Sequence, residues 1–194
     1  MKTLNFFVVE IPKRLNDTVR TESGFEIYID PKFNEFKNRT TEAKVVSSPV
    51  KYDTGVKVGD TLYFHHLVVV NDGQPLTGMD DHYIVKCDPE YTIGNQAFAY
   101  KSKKTGKVKP LFGWAILEAV KEHVDQPSEI IEIISNKEEP VRTGSVAFNS
   151  SDLKELGIKK KDVVGFATGM DYRIMIDEKE YYRVRSEDLL YVES

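Results

Sequence analysis

The chain carries one stretch twice, and that duplication limits its fold more than any motif does. The first copy, Ala43–Phe64, reads AKVVSSPVKYDTGVKVGDTLYF, and the second, Ser145–Phe166, reads SVAFNSSDLKELGIKKKDVVGF. Aligned without a gap, Gly55 falls on Gly157, Asp60 on Asp162 and Phe64 on Phe166. A second match follows at almost the same spacing, His82–Asp88 (HYIVKCD) against Tyr181–Glu187 (YYRVRSE). Solenoid units run about 20–50 residues, so a longer period points to two small domains. Half of a 194-residue chain is enough for one small hydrophobic core.

The pattern within each half is short and strand-like. In the first half the strand candidates are Phe6–Ile11, Phe25–Ile29, Ala43–Val46, Thr61–Val70 and His82–Cys87. In the second they are Trp114–Val120, Glu129–Ile134, Ser145–Phe148, Asp162–Phe166, Tyr172–Ile176 and Glu180–Arg185. Turn residues such as Asp53-Thr-Gly55 and Asn71-Asp-Gly73 separate them. Many short strands with frequent turns predict an all-β fold of small barrels or sandwiches. Two segments have helical character. Leu117–Val124 is rich in helix formers, and Ser151–Leu156 starts on serine and stops at Gly157. The lysine-rich bridge Ala99–Lys109 reads as a solvated linker or a hairpin tip around Thr105-Gly106.

Composition narrows the function. A net charge of −4 gives no electrostatic case for nucleic acid or an anionic membrane as partner. Met1–Glu10 has too short an apolar run, and no small-residue cleavage site, for a signal peptide, and reads as a first strand. Cys87 is the only cysteine, so no internal disulfide forms, which fits a cytoplasmic setting. The catalytic patterns looked for are not there. No glycine loop followed by Lys-Ser/Thr is present, and no Cys-x-x-Cys. His65 and His66 invite a metal reading, but neighbours on a strand point to opposite faces. The expectation is therefore a non-enzyme with no cofactor and no metal site.

Read from Lys109, the second half gives an ordered series. Lys109-Pro-Leu111 leads to the strand Trp114–Val120, then to the aliphatic knot Ile130-Ile-Glu-Ile-Ile134 between polar flanks. The strand Ser145–Phe148, the segment Gly157–Phe166 and a closing hairpin through Ser186-Glu-Asp-Leu-Leu190 follow. This order resembles the GroES family of ten-kilodalton co-chaperonins. The resemblance covers 109–194 well and 1–98 more loosely, mainly through Val56–Phe64 and His82–Ile93. It implies two tandem GroES-like β-barrels, at 1–98 and 109–194, joined by a linker at 99–108. It also implies a mobile loop that carries a short aliphatic motif to a GroEL-type chaperonin ring. In the first half that motif falls on Gly24, Phe25, Glu26, Ile27, Tyr28 and Ile29. In the second it falls on Ile130, Ile131, Glu132, Ile133 and Ile134.

The gaps Ser47–Asp53 and Asn149–Glu155 are too short for the family's roof hairpin. Roofless forms resemble co-chaperonins encoded by some tailed phages, and tandem forms resemble the double co-chaperonins of plastids. The function implied is capping a chaperonin ring and closing a chamber around an unfolded client protein, in the cytoplasm, or the host cytoplasm if the source is viral. A homo-oligomer is expected, a heptamer being favoured because a symmetric cap engages every groove of a seven-fold ring. The alternative is a structural or assembly adaptor that keeps the barrels without the chaperonin. An alcohol-dehydrogenase reading fails, because those enzymes add to their GroES-like barrel a dinucleotide-binding domain and Cys/His ligands that this chain lacks.

Overall fold

The computed structural model describes residues 2–15, 17–21, 23–28, 30, 38–69, 74–88, 94–119 and 141–193. The chain divides into two compact units, Met1–Leu111 and Phe112–Ser194. The first holds β1 (Phe6–Glu10), β2 (Thr18–Arg20), β3 (Glu26–Tyr28), β4 (Glu42–Ser47), β5 (Thr61–Phe64), β6 (Gln74–Pro75), β7 (His82–Lys86), β8 (Ala97–Lys101) and β9 (Val108–Pro110). The second holds β10 (Trp114–Ala119), β11 (Val141–Phe148), the short helix α1 (Ser151–Glu155), β12 (Val163–Ala167), β13 (Tyr172–Ile176), β14 (Lys179–Arg185) and β15 (Leu189–Glu193). The fold is all-β, with an antiparallel main sheet in each unit.

The six strands of the second main sheet repeat, in order, the first six of the seven in the first. The first runs β6-β7-β1-β4-β5-β8-β9 and the second β13-β14-β10-β11-β12-β15. Their irregularities recur as well. A register shift at Val8/Val9 between β1 and β4 has its twin at Ile116/Leu117 between β10 and β11. Another at Tyr63/Phe64 between β5 and β8 matches Gly165/Phe166 between β12 and β15. Such bulges set local twist and strand direction, so shared bulges mean shared sheet shape.

The cores correspond residue by residue. Ala115, Leu117, Val146, Val164, Phe166 and Val184 cluster in the second unit, with Ile158 and with Leu153 of α1. In ladder position they stand where Phe7, Val9, Val45, Leu62, Phe64 and Val85, all buried, stand in the first. The gap-free alignment needs one adjustment. Ala43 pairs with Leu62 and Gly144 with Val164, so the counterpart of Ala43 is Gly144 rather than Ser145. A one-residue slip would turn every side chain of the strand to the wrong face. The surplus residue therefore sits in the connection, where the second unit winds α1.

A carboxylate organises the turn that enters β5 and β12. Asp60 Oδ2 accepts the Lys57 N–H at 2.9 Å, and Asp162 Oδ2 accepts the Lys159 N–H at 2.8 Å. In both turns the preceding residue has a left-handed backbone. Gly59 adopts φ +90° freely, whereas Lys161, its counterpart, holds φ +77° with a side chain. A non-glycine residue in that region costs on the order of 1–3 kcal/mol.

Three segments refine the sequence reading. Thr61–Val70 is not one strand: β5 ends at Phe64, and His66–Val69 form a 3-10 turn packed on β7. Ten residues of strand would run about 33 Å, well past the neighbours β4 and β8, so the apolar run folds back instead. The bridge at 99–108, expected as a linker or as a hairpin tip around Thr105-Gly106, is the hairpin, with Gly106 N–H donating to the Ser102 carbonyl at 2.8 Å. Ala99, Tyr100 and Lys101 pair with Pro110, Lys109 and Val108, so β9 adds a seventh strand to the first sheet. Leu117–Ala119, at the start of the helix-prone segment, belong to β10, and residues 120–124 lie outside the described residues.

The turn carboxylates differ in consequence. Asp60 is buried and its Oδ1 also accepts the Lys103 N–H at 2.8 Å, whereas Asp162 lies in a more open turn. Asp60→Ala should lower stability by about 1–3 kcal/mol, and Asp162→Ala by about 1 kcal/mol or less. Urea unfolding of the two variants, followed by the Trp114 fluorescence and by far-ultraviolet circular dichroism, checks the order.

Candidate functional site: an exposed hairpin arm

Between β1 and β4 the chain leaves the main sheet and returns. The departure is fastened at its base: Thr40 N–H donates to the Arg14 carbonyl at 3.0 Å, and Thr40 Oγ1 donates to the Lys13 carbonyl at 2.7 Å. Leu15 bridges Arg39 in antiparallel fashion, and the Arg14 guanidinium lies 5.3 Å from the centre of the Tyr83 ring on β7. Beyond this base β2 and β3 pair with each other and with no strand of the main sheet.

The turn of this arm is built by one threonine. Thr21 N–H donates to the Phe25 carbonyl at 2.8 Å, and Gly24 N–H donates to the Thr21 carbonyl at 2.9 Å. The Thr21 hydroxyl also accepts the Phe25 N–H at 3.1 Å. Gly24 takes φ +85°, which this tight reversal requires. The arm is thus closed locally by its own polar groups.

Its side chains face water. Phe25 is 72% exposed, Ile27 52% and Tyr28 79%, and Glu26 between them is exposed too. A strand exposed at every residue, as β3 is, contributes little to the core, and large exposed apolar groups clustered together are the usual mark of an interaction site. Of the candidate residues, Gly24, Phe25, Glu26, Ile27 and Tyr28 therefore lie together on one arm. Ile29, Ile130, Ile131, Glu132, Ile133 and Ile134 lie outside the described residues.

Chemistry elsewhere is sparse. His65 and His66 are not splayed apart as two strand neighbours would be; the chain leaves β5 there and the rings stack at 4.3 Å between centroids. Among the described residues no three His, Cys, Asp or Glu side chains converge as a metal site would require. No helix among them is long and apolar enough to cross a membrane. Burial pushes the Cys87 thiol up to about 12, with the Asp88 charge adding to the effect. Thr77-Gly-Met79 and Thr168-Gly-Met170 are both tight turns closed on the residue before the threonine, at different places in the fold. Sequence reasoning passed over Leu190, Tyr191 and Val192, three successive exposed apolar residues on β15. The unbroken apolar run Leu189–Val192 was the signal. No protein-family model and no curated protein matches this chain.

Two measurements follow from this geometry. Phe25→Ser and Ile27→Ser should each change folding stability by less than about 0.5 kcal/mol, as surface changes do; a larger loss in thermal denaturation would mean that the arm packs on the main sheet. Cys87 should be inert to maleimide at pH 8 until the protein is unfolded, because raising the thiol from 9.0 to about 12 leaves about a thousandfold less thiolate. The same shift stabilises the folded state below pH 9, a contribution that fades as pH rises towards 12.

Proposed function

We propose that the chain is a tandem GroES-like co-chaperonin whose exposed arm docks on a GroEL-type ring. The observation that carries this reading is the arm itself, where Phe25, Ile27 and Tyr28 are held in water by a turn that needs no outside partner. An apolar groove on a ring would cover these side chains and recover the hydrophobic energy that the free protein forgoes. The sequence between β10 and β11 in the second unit contains Ile130–Ile134 and would supply a second docking segment.

Each main sheet would curl into a barrel, and several copies would assemble so that their arms act together. Individually weak contacts then gain about 10²–10⁴ in avidity. The exposed apolar edge strand β15 supports self-assembly, since bare strand edges invite pairing with another chain. ATP hydrolysis would belong to the ring, and this chain would supply closure of the chamber without chemistry of its own.

The test is co-elution with a GroEL-type ring on size exclusion, with and without ATP, for the parent chain and for Phe25→Ser/Ile27→Ser. Nucleotide-dependent association that falls by tenfold or more in the double variant, about 1.4 kcal/mol or more, is the expected result. Absence of association in either nucleotide state would overturn the reading. Full association of the double variant would move docking away from the first arm.

A further inference from the structure

The first unit contains a cavity of about 490 Å³ lined by Phe6, Gln74, Ile84, Cys87, Asp88 and Asn95, among others. The repeat shows what stands at the same place in the second unit. Phe6 pairs with Lys86 as Trp114 pairs with Arg185, and Gln74 pairs with Ile84 as Tyr172 pairs with Arg183. There the space is filled by the chain itself. The Arg183 guanidinium lies 4.6 Å from the centre of the Trp114 ring and 4.6 Å from that of Tyr172. Burial lowers its pKa to about 10, so it remains a cation at neutral pH.

In the first unit the aromatic wall survives as Phe6, but the stack is gone. Ile84 stands in place of the arginine and Gln74 in place of the tyrosine, and the space opens. Three of the lining groups carry no charge, since Phe6 and Ile84 are apolar and the Cys87 thiol is buried and neutral. Asp88 is an acidic member of the lining. Its backbone is clipped on both sides by Asn95, whose Oδ1 accepts the Asp88 N–H and whose Nδ2 donates to the Asp88 carbonyl at 2.8 Å. Lys86 lines the cavity too, at the position of Arg185; Arg185 pairs at 3.3 Å with Glu187, the counterpart of Asp88. A guanidinium suits such a place better than an ammonium, because it is weakly hydrated and stacks flat on a ring.

We propose that this cavity receives an arginine side chain of a polypeptide partner, stacked on Phe6 with its N–H groups towards Asp88. The interaction is independent of the hairpin arm and of the chaperonin reading. The test is a titration of the isotopically labelled full chain with N-acetyl-arginine methylamide, followed by amide chemical shifts, with the lysine analogue as a control of equal charge. Saturable shifts are expected at Phe6, Ile84 and Asp88, with affinity for the lysine analogue weaker by at least about fivefold. Ile84→Arg with Gln74→Tyr, which rebuilds the stack of the second unit, should abolish them. Phe6→Leu, which leaves the cavity open and removes the ring, should weaken arginine about fivefold and carries the test should the rebuilt variant not fold. Absence of saturable shifts, an equal response to lysine, or undiminished binding in Phe6→Leu would overturn the proposal.

Discussion

Each main sheet turns on one carboxylate. Asp60 and Asp162 hold the backbone N–H three residues earlier, and their own carbonyls accept the N–H groups of Val45 and Val146 at 2.8 and 2.9 Å. In the same turns the N–H groups of Gly59 and Lys161 donate back to the Val45 and Val146 carbonyls, both at 2.8 Å. The turn is thereby bonded to the strand beside which the next one must lie, and this fixes the register of β4 on β5 and of β11 on β12. Register in turn decides which residues become core, because alternate side chains face opposite sides. In the first unit the Asp60 carboxylate does more, since its second oxygen reaches Lys103 in the turn between β8 and β9. One buried side chain thus ties the turn before β5 to the turn between β8 and β9.

The two units solve equivalent packing problems with different residues. Tyr63 lies opposite Ala99 in the first sheet, whereas Gly165 lies opposite Tyr191 in the second. The large and small members of the pair have changed strands. A methyl group on Gly165 would collide with the Tyr191 ring, so the glycine is required by its partner rather than by its backbone angles. The Arg183 stack and the cavity at Ile84 are a second such divergence, in which the space was not refilled. Interior packing resists single changes in volume, so a cross-strand pair must change together or leave a void.

The duplication and the all-β character were legible in the residues, because Gly55, Asp60, Phe64 and Val85 have counterparts that serve the same roles. The β9 strand was not, since Val108-Lys-Pro110 is short, charged and proline-bearing, which suits an edge strand yet reads as linker. The break after Phe64 was hidden because Leu67, Val68 and Val69 are as apolar as any strand, and it is the length of the neighbouring strands that ends β5. The arm residues Gly24–Tyr28 were named from their pattern, but alternation at Phe25 and Ile27 also fits a half-buried strand. Only the exposure of successive β3 residues on both its faces distinguishes the two. The cavity could not be read from sequence, because it is defined by what Ile84 and Gln74 lack relative to residues far along the chain.

The seventh strand changes the edge that the first sheet presents. In the first sheet β9 occupies the free side of β8, while at the equivalent position of the second sheet β15 ends the described strand order with its apolar side chains exposed. β9, which becomes the first sheet's edge in place of β8, is only three residues long and carries Lys109 and Pro110, features that blunt an edge against pairing with another strand.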